Sequence, residues 1–109
     1  MAAKRTPSSA LEQCLPRLRA LADATRVRLV RTLTAGESTV TALADTLGVT
    51  IYNTSRHLKV LKDAGLVEME VRAQQRIYRL SAPILLELRR NRNVLELGCC
   101  SFRLEEATA

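Results

Sequence analysis

The chain of 109 residues has no tryptophan, one phenylalanine, two tyrosines and a single histidine. Its hydrophobic core must therefore be built from leucine, valine and alanine rather than from stacked rings. No apolar run approaches the roughly 18–20 residues that a membrane span needs, so no membrane is expected as a partner. The opening MAAKRTPSS has two cations but no apolar segment behind them, which is not the pattern of a secretory signal. Three cysteines are an odd number for a disulfide framework. Together these features point to reduced thiols in a cytoplasmic protein. There is no glycine-rich phosphate loop, His-Glu-x-x-His pair, zinc-ribbon spacing or internal repeat.

What the chain has in excess is positive charge, a formal +6 at neutral pH, which favours a polyanionic partner. The length suits one modest domain. Residues 1–8 read as a flexible basic arm, residues 9–92 as the folded domain and residues 93–109 as a cysteine-bearing tail. Ser9 and Glu12 form a capping box, so a first helix is expected from Ser9, with Pro16 kinking or restarting it. Leu11, Cys14, Leu15 and Leu18 recur at helical spacing along it. Asp23 caps a second helix over 24–35, with Val27, Leu29, Val30 and Leu33 inward and Arg28 and Arg31 wet.

Val40, Leu43, Ala44 and Leu47 make a short third helix that stops at Gly48. Thr50 then caps a fourth, with Ile51, Leu58, Leu61 and Leu66 as apolar anchors and Gly65 as its stop. Two helices joined by so short a glycine-containing turn form a helix-turn-helix. The fourth helix offers Tyr52, Asn53, Thr54, Ser55, Arg56, His57 and Lys59 with no acid before Asp63. Amides, hydroxyls and guanidinium groups read base edges, and cations hold phosphates.

Past Gly65 the apolar period changes to two. Leu66–Val71 and Arg76–Leu80 read as strands, with Val67, Met69 and Val71 set against Ile77 and Arg79. The polar turn Arg72-Ala73-Gln74-Gln75, bracketed by Arg72 and Arg76, forms the cationic tip of a wing beside the fourth helix. Ser81 caps a last helix whose Ile84, Leu85, Leu86 and Leu88 must pack against the first helix of this chain or of a second copy. Residues 94–104 read as extended. The fold class is thus mainly α with a small β-hairpin: a winged helix-turn-helix of four helices, hairpin and fifth helix, followed by a tail.

From Leu18 to Leu80 the chain resembles the ArsR/SmtB family of winged-helix repressors, in LRALADATRVRLVRTL, TALADTLGVT, SRHLKVLKDAGLV and RIYRL. The resemblance implies a homodimer formed by the first and last helices, binding to palindromic operator DNA, and release by a metal or metalloid. The family's Cys-Val-Cys pair is replaced here by Thr39-Val40-Thr41, and its Asp/His zinc site on the last helix is missing. Some arsenic-responsive members carry thiols elsewhere, including C-terminal vicinal pairs, and Cys14 with Cys99-Cys100 is similar to that arrangement. Three thiolates suit As(III) or Sb(III), whereas Zn(II) wants a fourth ligand. In a strand, adjacent side chains diverge, so Cys99 and Cys100 share an ion only if Gly98 supplies a turn. Otherwise one of them meets Cys14 alone.

The expected DNA-binding residues are Thr50, Tyr52, Asn53, Thr54, Ser55, Arg56, His57, Lys59, Arg72, Gln74, Gln75 and Arg76, and the expected thiol ligands are Cys14, Cys99 and Cys100. Competing readings are a redox-sensing repressor of the same fold, a thiol enzyme, and a winged helix used only for protein contact. No base, oxyanion donor or cofactor loop supports the enzyme.

Overall fold

A computed structural model describes the backbone of residues 5–104 and the side chains of residues 11–104. The elements are α1 (Arg5–Leu21), α2 (Ala24–Leu33), β1 (Ser38–Thr39), α3 (Val40–Leu47) and α4 (Ile51–Asp63). They continue with β2 (Val67–Arg72), β3 (Gln75–Leu80), α5 (Ala82–Arg90), β4 (Val94–Glu96) and β5 (Ser101–Arg103). The first four residues of the basic arm lie outside the described residues.

α1 begins at Arg5, four residues before the capping box, which therefore lies inside the helix. Pro7 is tolerated there because first-turn amides have no intrahelical partner. Pro16 neither restarts nor ends the helix, although it removes the rung that would reach the carbonyl of Glu12. Burial of Cys14, Ala20 and Leu21 on both sides of the proline holds the two halves together.

Leu29, Val30 and Leu33 of α2, Leu43 of α3, and Leu58 and Leu61 of α4 meet in one core with Leu66, Leu80, Ile84 and Leu88. Each fully buried leucine contributes about 1.5–3 kcal/mol relative to exposure. Thr39 caps α3 through a bond from the Ala42 amide, and Gly48 closes it in a left-handed conformation at φ 69°. That single residue turns the chain sharply enough for Thr50 to cap α4 two residues later, accepting from the Asn53 amide at 3.1 Å. The helix-turn-helix angle is thus set by two hydroxyls and one glycine.

One anchor fails. Ile51 is 54% exposed, and the buried stripe of α4 is Thr54, Leu58 and Leu61. The first turn of α4 projects beyond the edge of the core, so the stripe starts three residues later.

The three-stranded sheet has the order β1-β3-β2, all antiparallel. The two-residue strand β1 covers the outer edge of β3 through Ser38↔Tyr78 and Thr39↔Ile77. The wing turn is tighter than expected: Arg72 pairs with Gln75. Only Ala73 and Gln74, both at positive φ (50° and 70°), form the bend, as in a primed two-residue hairpin. This register places Val67, Met69 and Val71 opposite Leu80, Tyr78 and Arg76. Ile77 and Arg79, the expected partners, lie on the other face.

The hydroxyl of Ser81 does not cap α5; it donates to the carbonyl of Gly65 at 2.9 Å and ties the helix start to the end of α4. The tail is a second hairpin rather than a single extended stretch. β4 and β5 pair as Val94↔Arg103, Leu95↔Phe102 and Glu96↔Ser101. Buried Leu95, Leu97 and Leu104 sew this hairpin into the core. No helix among the described residues is long and apolar enough to cross a membrane.

Candidate nucleic-acid interface and thiol cluster

α4 and the wing enclose a groove of about 350 Å³ lined by Tyr52, Ser55, Arg56, Lys59, Lys62, Met69, Arg76 and Tyr78. A second hollow of about 250 Å³ joins it at the starts of α3 and α4, lined by Thr39, Val40, Thr41, Ile51, Ser55, Gln74, Gln75 and Arg76. Helix, wing and helix-turn-helix corner therefore present one continuous surface of cations, hydroxyls and amides. The Arg56 guanidinium stands 5.7 Å from the centre of the Tyr52 ring, a cation–π contact that pre-orients both exposed side chains. Lys59 is held by Asp63 at 3.1 Å one helical turn on, an exposed pair that costs little to open.

Of the expected DNA-binding residues, Thr50, Tyr52, Asn53, Arg56, Lys59, Arg72, Gln74, Gln75 and Arg76 are exposed, and Ser55 is half-buried. Thr54 is not available. It is 1% exposed, and its hydroxyl donates to the Thr50 carbonyl at 2.8 Å. A hydroxyl satisfied within its own helix lets threonine occupy a core position. Thr54→Ala is accordingly expected to lower stability by about 1–2 kcal/mol, a Tm drop of roughly 4–15 °C, while changing operator affinity by less than about three-fold. Thermal melts and anisotropy on the same preparation check both halves.

Arg72 is exposed but engaged. Its guanidinium meets Glu37 at 2.8 Å and Glu70 at 2.9 Å. Arg79 adds Glu37 at 3.3 Å, Glu70 at 2.9 Å and Glu68 at 3.5 Å. The hydrogen bond from Arg72 is the main reason that the Glu37 carboxyl sits below the usual range, and bonds from Arg72 and then Arg79 do the same for Glu70. The cluster lies on the wing face opposite Met69, Arg76 and Tyr78, because residues 68, 70, 72 and 79 share one side of the pleat.

His57 is turned toward α2. Its Nδ1 lies 3.1 Å from Arg26 Nη1 and 3.9 Å from an Asp23 carboxylate oxygen. Partial desolvation works to raise Asp23, but the Arg26 amide and the charges of His57 and Arg26 outweigh it and leave the carboxyl lowered. Arg26 escaped the sequence reading because its sequence neighbours show only an amphipathic helix.

The three thiols converge. Cys14 is fully buried on α1, while Cys99 and Cys100 occupy the turn of the tail hairpin. Gly98 at φ 103° supplies the bend that an extended tail would lack, and the Leu97 amide closes the turn on the Cys100 carbonyl at 2.8 Å. Cys14 and Cys99 are joined as a disulfide with Cα atoms 5.7 Å apart, and Cys100 Sγ lies 4.0 Å from Cys14 Sγ. The expectation of three reduced thiols is thus corrected: the bend brings Cys99 within the Cα separation that a disulfide requires. Both vicinal cysteines reach the Cys14 of their own chain. All three sulfurs lie within 4.8 Å of one another. Thiolates on one ion with bonds of about 2.3 Å stand at most about 4.6 Å apart, so the sulfurs, as placed with the Cys14–Cys99 bond formed, are gathered on the scale of a single soft ion's ligand shell.

Fold and surface together define a winged helix-turn-helix DNA-binding domain. A helix-turn-helix domain profile matches residues 21–70. A solved structure described as a possible transcriptional regulator for arsenical resistance is 42% identical, with 68% of this chain and 77% of that chain covered and a TM-score of 0.60. The transcriptional repressor BigR from Xylella fastidiosa is 31% identical over 80% of this chain and 84% of that chain, with a TM-score of 0.61. The homodimeric winged helix-turn-helix domain of Mb0332 from Mycobacterium bovis, a possible ArsR-family regulator, is 26% identical over 79% and 81% of the respective chains, at TM-score 0.71. No curated protein sequence matches the chain. The chain belongs to the ArsR family of transcriptional regulators.

Proposed function

We propose that the protein is a homodimeric repressor that leaves its operator when As(III), or the similar Sb(III), binds Cys14, Cys99 and Cys100. The observation that carries this reading is the convergence of three sulfurs, from α1 and the tail hairpin, within 4.8 Å. No histidine accompanies them, since the only one in the chain is engaged with Arg26. Three sulfurs without nitrogen ligands favour a thiophilic ion. The 42% identity to a regulator described as serving arsenical resistance points the same way. Leu11 on α1 and Leu86 on α5 are 48% and 55% exposed, an apolar pair suited to a second copy of the chain. An ion that pulls α1 toward the tail would change the geometry of that interface, and palindromic binding depends on the spacing of two reading helices.

Fluorescence anisotropy of the reduced protein on the duplex upstream of its own gene, titrated with arsenite, tests the reading. Arsenite is expected to weaken binding by about 5- to 150-fold, the usual range of such couplings. Tight binding indifferent to arsenite would refute As(III) as effector. The Cys14–Cys99 disulfide favours a second reading, in which oxidation of the same thiols is the signal. Binding that falls only after oxidation, and returns with dithiothreitol, would select it.

A further inference from the structure

The side chain of Arg26 bridges α1 and α4 from its place on α2. Its Nε donates to the Ala20 carbonyl at 2.6 Å and Nη2 donates to the Arg19 carbonyl at 3.2 Å, both in the closing turn of α1. Its Nη1 lies 3.1 Å from His57 Nδ1 in the middle of α4. A guanidinium has no acceptor, so where this bond forms Nδ1 receives it and the ring proton sits on Nε2. Arg26 therefore fixes both the tautomer and the pose of the histidine. Beside it, a hollow of about 160 Å³ is lined by Arg26, Asn53, Arg56, His57 and Val60, so the junction opens onto two side chains of the DNA-reading surface.

Ala20 lies six residues beyond Cys14, about 9 Å along the same helix. Pro16 lies between them and removes one rung, but α1 stays continuous from Arg5 to Leu21, so a tilt or slide imposed at Cys14 is passed on to the carbonyls that Arg26 holds. The guanidinium fork is planar and rigid, and following those carbonyls withdraws Nη1 from His57. We infer that Arg26 is the positioning residue through which the Cys14 thiol cluster sets the placement of the recognition helix α4. This deepens the sensor reading above and rests on it.

The test is the ratio of operator affinities between thiol states, measured on wild type and Arg26→Lys. Lysine keeps the charge but presents one ammonium that cannot hold two carbonyls and a ring nitrogen together. Titration of the thiols with arsenite checks that the variant still fills its site, and circular dichroism that it is folded. The ratio, expected at about 5- to 150-fold in wild type for arsenite or for the disulfide, should fall below about two-fold in Arg26→Lys. An Arg26→Lys ratio equal to that of wild type overturns the relay and leaves the sensor intact. A wild type whose affinity is the same reduced, oxidised and arsenite-loaded overturns the sensor reading and the relay with it. Should Arg26→Lys not fold, nitrogen-15 spectra of the wild-type His57 ring decide the matter. Arsenite or oxidation should move the Nδ1 resonance, and an unmoved resonance overturns the proposal.

Discussion

Arg56→Ala is expected to weaken operator binding by about 10- to 100-fold at fixed ionic strength, with discrimination between operator and scrambled duplex falling as well. Arg56 is exposed at the mouth of the α4–wing groove and is pre-set by the Tyr52 ring at 5.7 Å, so little entropy is lost when it engages a base edge or phosphate. Its removal leaves the core untouched, because the buried stripe of α4 is Thr54, Leu58 and Leu61. Arg76→Ala provides the contrast. It lies on the wing strand at the same groove, and its loss should weaken all duplexes alike and lower the salt slope by about one per protomer. Anisotropy across a salt series separates the two. Wild-type affinity in Arg56→Ala would remove α4 from the interface.

Cys99→Ser/Cys100→Ser should bind operator as the wild type does and lose its response to arsenite altogether. In cells it should repress and stay repressed. Both residues lie in a hairpin turn, exposed or half-buried, and in reducing buffer, where the Cys14–Cys99 bond is open, buried Leu95, Leu97 and Leu104 still anchor the hairpin. Serine keeps the size of each side chain but is not a soft ligand. Cys14→Ser removes the third sulfur from a fully buried position, so its loss of response comes with a stability cost of about 1–3 kcal/mol for an unpaired hydroxyl. Normal induction of the double variant would exclude the tail as the sensor.

Local chemistry made most of the fold legible. Gly48 and Gly65 announce their turns because few other residues adopt a left-handed backbone, and Thr50 announces its cap because its hydroxyl can accept from the Asn53 amide. The second hairpin was hidden because its only local marker is Gly98; the strands that flank it are too short to show a period. Thr54 was misassigned for a reason that no helical wheel removes: a hydroxyl that bonds its own helix is polar in sequence and apolar in effect. The exposed DNA face was readable from residue type. That Arg72 and His57 are already engaged was not, since their partners Glu37 and Arg26 lie more than 30 positions away.

Three carboxylates and two guanidinium groups on one side of the wing leave that side with a surplus negative charge, while Arg76 faces the recognition helix from the other. The hairpin is thus an electrically two-sided ribbon, thinner than the roughly 10 Å over which salt damps such fields. A polyanion sliding past would be drawn to one side and turned away from the other. The side that favours a polyanion is the one that also carries Arg56 and Lys59 of α4.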